Sequence, residues 1–205
     1  MYSRVVNAPV ARRKITHSHA YWDNAFTIEE LNQICSLCDS FELKKGSTFG
    51  SSNMDEVEKV RKSDIHFFSR DDNTGWIFDR FNYVIDSLNE QFFGFNLNGY
   101  ENIQYTVYES DVQGKYDYHI DCNLSPIIQR LDEMRKLSLV MLLNEPVIDF
   151  SGGELQLKMS DIDQTTDMYK GRIIAFPSFV LHRVKPVYLG IRKSLVIWVE
   201  GPKFL

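Results

Sequence analysis

The strongest constraint on this chain is a change of rhythm after Gly99. From there to Gly201 the sequence breaks into short runs of strand character, at about 101–109, 115–121, 137–144, 153–159, 172–176, 179–185 and 191–199. Turn residues bound most of them: Ser110-Asp111, Gly152-Gly153, Pro177 and Gly190. Leu137 to Leu143 is almost continuously apolar, the pattern of a central strand covered on both faces. Leu155, Leu157 and Met159 alternate with Glu154, Gln156 and Lys158, the pattern of a half-exposed one. Before Gly99 the period is helical. Thr27-Ile28-Glu29-Glu30 is a capping box, and Ile28, Leu31, Ile34, Cys35 and Cys38 follow at helical spacing to about Ser40. A longer helix is expected at about Gly75 to Phe92, with Asn73 or Thr74 as N-cap. Trp76, Ile77, Phe81, Val84, Ile85, Leu88 and Phe92 trace its apolar face. Helices first and many short strands after predict a mainly β fold, a sandwich or jelly roll buttressed by two or more α-helices.

A chain of 205 residues suits one domain, with residues 1–100 as helical buttress and outer strands and 101–201 as the β core. Its apolar fraction of 43% supports a substantial core, which excludes a disordered class. The net charge of −5 disfavours nucleic acid as a partner, although Arg12-Arg13-Lys14 and Arg130, Arg135 and Lys136 are local basic groups. No apolar run approaches the ~20 residues of a membrane span, and the first residues lack the apolar stretch of a secretory signal, so no membrane partner and a cytoplasmic location are expected. Cys35, Cys38 and Cys122 form an odd, sparse set that suits reduced thiols, and Cys35-x-x-Cys38 reads as helix packing. Residues 1–24 are expected as an arm or outer strand, Lys44 to Asn53 as a loop, and Met54 to Lys62 as a short helical turn. Ser63 to Phe68 reads as a strand, and Ser125 to Lys136 as an amphipathic helix or a flap.

Chemistry gathers in three places. In Tyr116-Asp117-Tyr118-His119-Ile120-Asp121, strand alternation points His119 and Asp121 the same way. Asp117 shares that face, either orienting His119 or facing solvent. His182 lies in the apolar run Phe179 to Val184. Alone it would read as a core histidine satisfied by a backbone carbonyl; with His119 and Asp121 it completes a 2-His-1-carboxylate triad of the kind that holds non-haem Fe(II). Finally, Arg192 opens the apolar strand that ends at Trp198 and shares a face with Ser194, Val196 and Trp198. Pointing inward, it needs an anionic partner, which a guanidinium grips bidentately. The alternative is an edge arginine reaching water, a description that suits Lys193 on the other face better. A hairpin turning at Pro186 and Gly190 is expected to bring Arg192 and Ser194 beside the His182 strand.

These residues fall within a longer order: Tyr108, Gly114, Tyr116, His119-x-Asp121, Leu143-Asn144, Gly152-Gly153-Glu154-Leu155, Phe176-Pro177-Ser178, His182 and Gly190-Ile191-Arg192. That order, from about Ile103 to Gly201, resembles the Fe(II)/2-oxoglutarate-dependent dioxygenases of the prolyl-4-hydroxylase-like, PKHD-type branch. The resemblance implies a double-stranded β-helix (jelly roll) with His119, Asp121 and His182 as catalytic iron ligands. It implies that Arg192 pairs with the distal carboxylate of 2-oxoglutarate, helped by Ser194 and Tyr108. Fe(II), 2-oxoglutarate and O2 are the cofactors it implies, with ascorbate as a candidate accessory. The reaction it implies is hydroxylation of a C–H bond with decarboxylation of 2-oxoglutarate to succinate and CO2. A peptide or protein substrate hydroxylated at a residue such as proline is the first expectation. The same chemistry on a free amino acid, small metabolite or nucleobase is a second. A non-catalytic jelly-roll binding module is the reading from another class. A zinc hydrolase would use the same ligands, yet the chain has no His-Glu-x-x-His and would leave Arg192 without a role.

Overall fold

The computed structural model describes residues 18–48, 53–122 and 133–203. Most of the expected arm and most of the Ser125 to Lys136 segment lie outside them. Glu133 to Lys136, within them, open a strand rather than a helix or flap.

Two sheets face each other, and helices cover the outer side of the larger one. In chain order the strands are β1 (Ala20–Trp22), β2 (Lys44–Lys45), β3 (Arg61–Lys62), β4 (Asp64–Ser69), β5 (Asn102–Glu109), β6 (Lys115–His119) and β7 (Glu133–Leu142), followed by β8 (Phe150–Gly152), β9 (Leu155–Met159), β10 (Ile162–Thr165), β11 (Ile173–Pro177), β12 (Leu181–Val184) and β13 (Val187–Pro202). The larger sheet runs β1-β11-β7-β13-β5-β4-β2, with β8 paired to the start of β13, and the smaller runs β10-β9-β12-β6-β3. Every named pairing is antiparallel.

The parity of the central strands explains the layering. Leu137, Leu139 and Met141 of β7 and Leu195, Ile197 and Val199 of β13 join a core with Leu31 and Ile34 of α1 (Ile28–Asp39) and Ile77, Phe81, Val84, Ile85 and Leu88 of α3 (Gly75–Leu88). The intervening Val140 and Leu142 enter a second core between the sheets with Tyr108, Phe150, Leu155, Leu157, Ile174, Phe176, Val184 and Val187. A strand pleated between two apolar layers must be apolar at every position, which is why 137–143 reads as a continuous run. Ser138 is its polar exception.

The capping box forms as expected: the Thr27 hydroxyl accepts from the Glu30 N–H and the Glu30 carboxylate accepts from the Thr27 N–H. The short helix α2 (Met54–Val60) occupies the expected turn. Cys35 and Cys38 pack against the helix–sheet core as free thiols.

Four expectations need correction. The long helix ends at Leu88 and continues to Phe93 as a π-helical turn closed by Gly94 at φ 66°. Thr74, one of the two expected positions, is its N-cap, although the hydroxyl makes no cap bond because it donates to the Ser69 carbonyl and accepts from the Asp71 N–H. The expected 115–121 strand stops at His119, so Asp121 is held by other means. The expected hairpin does not exist, since β12 belongs to the smaller sheet and β13 to the larger. The chain changes sheets at Lys185 and Pro186, where a proline without an N–H cannot continue a ladder. Lys193 is also no free surface cation: it sits on the helix side and pairs with Asp39 at the end of α1 at 2.6 Å, and Tyr105 donates to the same carboxylate.

We propose that helices and sheets unfold as one domain, because α1 and α3 bury their apolar faces on the larger sheet. Ile197→Ala, beneath those helices, should destabilise the protein by about 2–5 kcal/mol. Urea titration followed by helix-sensitive and aromatic circular dichroism should show both signals shifting together; separate transitions would refute the single unit.

Candidate functional site

The smaller sheet supplies the two histidines. His119 ends β6 and stands directly across the ladder from His182 on β12, and their rings lie 4.1 Å apart. Each ring is oriented by its own chain: His119 Nδ1 lies 2.8 Å from the Asp117 carbonyl and His182 Nδ1 lies 2.9 Å from the Val180 carbonyl. A carbonyl oxygen only accepts, so Nδ1 carries the hydrogen and each Nε2 offers a free lone pair. Both lone pairs point to Asp121, with His119 Nε2 at 3.6 Å from Oδ1 and His182 Nε2 at 3.4 Å from Oδ2. The candidate ligand atoms of the three residues all lie within 4.8 Å of one another. Asp117 thus orients His119 through its carbonyl, while its carboxylate faces Lys115 at 3.4 Å.

Asp121 has left the strand, and the opposite sheet holds it. Its N–H donates to the Ser178 carbonyl at 2.9 Å. Its Oδ2 accepts from the Ser138 hydroxyl at 2.7 Å, and Ser138 contacts Ser178 Oγ at 2.8 Å. Burial alone would raise the carboxyl's pKa, but His182, His119 and Ser138 outweigh it and hold the group below the usual carboxylate range. Burial pushes the His182 pKa down against the pull of Asp121, which favours the neutral imidazole that ligates metals. Tyr116 stacks on His119 at 3.5 Å, and Phe176 meets His182 edge-on at 4.7 Å.

The larger sheet contributes Arg192 from within the sandwich. It is 1% exposed, and among the described residues its Nε and Nη2 have no hydrogen-bond partner. Nη1 donates to Ser194 Oγ at 2.9 Å, and its cross-strand neighbour Tyr108 places a ring 5.3 Å from the guanidinium carbon. Gly153 makes room for it: at φ +68° a Cβ there would lie 2.7 Å from Arg192 Cδ. A buried guanidinium with two idle donors has the geometry to grip a carboxylate.

All six residues singled out from sequence therefore lie inside the sandwich, His119, Asp121 and His182 as one cluster and Arg192, Ser194 and Tyr108 as another. Sequence reasoning gave no role to Ser138, which orients Asp121, or to Tyr116, which backs His119. The signal for Ser138 was a lone hydroxyl in an otherwise apolar run. Tyr116 stood in the ordered pattern before His119-x-Asp121 but received no role, because a tyrosine in a strand has many ordinary uses.

Residues 103–200 match the family model of the 2OG-Fe(II) oxygenase superfamily. Among curated proteins, the chain is 35% identical over 99 residues to a PKHD-type hydroxylase of Colwellia psychrerythraea, covering 47% of this chain and 42% of that protein. It is 35% identical over 101 residues to a PKHD-type hydroxylase of Synechococcus, covering 49% and 43%. The matches thus span less than half the length of these relatives. The fold, mainly β with helical buttresses, is that of the prolyl hydroxylase jelly rolls. A Pseudomonas putida prolyl-4-hydroxylase superposes with TM-score 0.71 at 19% identity, covering 92% of this chain and 95% of that one. A Trichoplax adhaerens prolyl hydroxylase, solved with a hypoxia inducible factor peptide fragment, gives 0.71 at 20% identity, covering 90% and 84%.

Arg192→Met removes a buried charge with unmet donors and keeps the volume. The ligand-free variant should be more stable than the parent by about 1–3 kcal/mol, measured by thermal unfolding. A loss of stability would mean that the guanidinium is already compensated.

Proposed function

We propose that this chain is an Fe(II)- and 2-oxoglutarate-dependent dioxygenase that hydroxylates a C–H bond, with a peptidyl residue such as proline as the favoured substrate. One observation carries the reading: a buried arginine with idle donors shares the sandwich interior with two imidazole lone pairs and a carboxylate. The donor set fits iron, with two neutral nitrogens and one anionic oxygen on neighbouring positions. The idle donors fit the far carboxylate of 2-oxoglutarate. A non-catalytic module would have no use for a guanidinium buried at such cost, and a zinc hydrolase would have none for Arg192.

Iron with 2-oxoglutarate and O2 supplies the oxidising power, converting 2-oxoglutarate to succinate and CO2 as the substrate gains a hydroxyl. The residues of this chain do the rest. His119, Asp121 and His182 would hold the metal; the lowered pKa values of Asp121 and His182 favour the ionised carboxylate and the neutral imidazole that ligate it. Ser138 turns the Asp121 carboxylate toward the histidines, and the backbone carbonyls of Asp117 and Val180 fix their tautomers. Arg192 and Ser194 would orient the cosubstrate from the opposite sheet, with Tyr108 alongside. Tyr116 and Phe176 cover the imidazole faces and keep water from them. The peptide preference draws support from the peptide complex of the Trichoplax relative.

Anaerobic calorimetry should find one Fe(II) per chain and 2-oxoglutarate binding that depends on it. His182→Ala should weaken metal binding by more than about 100-fold, and Ser138→Ala, which removes only an outer partner, by about 10-fold. In air with ascorbate, the parent should form succinate. Unchanged metal affinity in His182→Ala would sink the assignment.

A further inference from the structure

Beside the metal-ligand cluster opens a cleft of about 380 Å³ whose lining includes Asp121, Tyr116, Phe67, Trp198, Arg61 and Arg135. Its charges do not balance. Arg61 is 7% exposed and held in place: it donates to Ser63 Oγ at 2.7 Å and to the Ser47 carbonyl at 2.9 Å, and lies over the Tyr116 ring at 4.6 Å. Arg135 lies over Trp198, its guanidinium carbon 4.0 Å from the ring centre. It has no hydrogen bond or salt bridge among the described residues; even Glu200, opposite it in the ladder, makes no ion pair with it. The nearest anion along the lining is Asp121, whose charge a bound metal would take up.

We propose that this cleft selects a substrate bearing a carboxylate close to the hydroxylated position, and that Arg135, seated on Trp198, grips it while Arg61 adds a second fixed positive charge. The proposal rests on the dioxygenase reading above and refines its substrate class. Stacking leaves the guanidinium edge free, and that edge presents parallel N–H donors matching a carboxylate. Phe67, which lies 6.3 Å from the Trp198 ring, and Tyr116 supply an apolar lining for the carbon skeleton between the carboxylate and the metal. Burial pulls the Arg135 pKa down, as expected of a cation awaiting an anion. The carboxylate could belong to an acidic side chain in a peptide or to a free amino acid.

Retention on the immobilised full chain, loaded with Zn(II) and saturating 2-oxoglutarate so that Arg192 is occupied and no turnover occurs, distinguishes these sources. One arm uses a proline-centred peptide library with randomised flanks, the other a mixture of free amino acids and their amides, both read by mass spectrometry. Carboxylate-bearing members should be retained about 10-fold or more over their amide counterparts in one arm. Arg135→Gln should abolish that preference and Arg135→Lys should keep part of it, with unchanged circular dichroism in both variants. Equal retention of acids and amides, or none, while 2-oxoglutarate still binds, overturns the cleft assignment. Failure of 2-oxoglutarate to bind the parent chain refutes the underlying dioxygenase reading instead.

Discussion

Arg192, a buried cation with no anionic partner among the described residues, organises the interior of this protein. Arg192 is buried at 1% exposure with two donors unmet, a state that costs free energy wherever a fold tolerates it. Its surroundings accommodate the stem and leave the charge unanswered: Gly153 gives way to the side chain, Ser194 takes one N–H, and Tyr108 lies alongside. The compensating stability must come from elsewhere, and the large apolar core between the larger sheet and α1 and α3 is where it resides. Helices α1 and α3 pack on the core face opposite Arg192 and Ser138, and their burial offsets the cost of that unmet charge.

The two central strands divide these duties by parity. On β13, Leu195, Ile197 and Val199 face the helices while Arg192 and Ser194 face the site. On β7, Leu137, Leu139 and Met141 face the helices while Ser138 reaches Asp121. A one-residue slip of either strand would exchange stability for chemistry across its whole length. The long pairing of β13 with β5, β7 and β8 makes such a slip improbable. Lys193, anchored to Asp39 on the helix side, further pins the register next to Arg192.

Much of this was legible from residues alone, because it follows from local periodicity. Thr27 and Glu30 announced a helix start through the reciprocal bonds their spacing permits. The uninterrupted apolar run at 137–143 announced a strand between two cores. The ordered His, Asp, His and Arg positions announced what would converge. The route of convergence was not legible. Pro186 and Gly190 suggest a turn equally well whether the chain returns in the same sheet or crosses to the other, and here it crosses. Likewise, alternation extends the His119 strand to Asp121, although pairing with β12 ends at His119 and Ser178 and Ser138 then capture the carboxylate. Nothing local in 115–121 encodes partners that lie in distant strands.

The two imidazoles owe their orientation to main-chain carbonyls two residues upstream, at Asp117 and Val180. A tautomer set by the peptide backbone does not depend on which side chains stand nearby. Lining residues that touch neither ring, such as Phe67 and Arg135, can therefore be exchanged while the backbone keeps the same nitrogen of both rings facing inward. For a scaffold diversified toward new substrates, by selection or by design, this separates the freedom to alter recognition from the requirement to preserve the reactive centre.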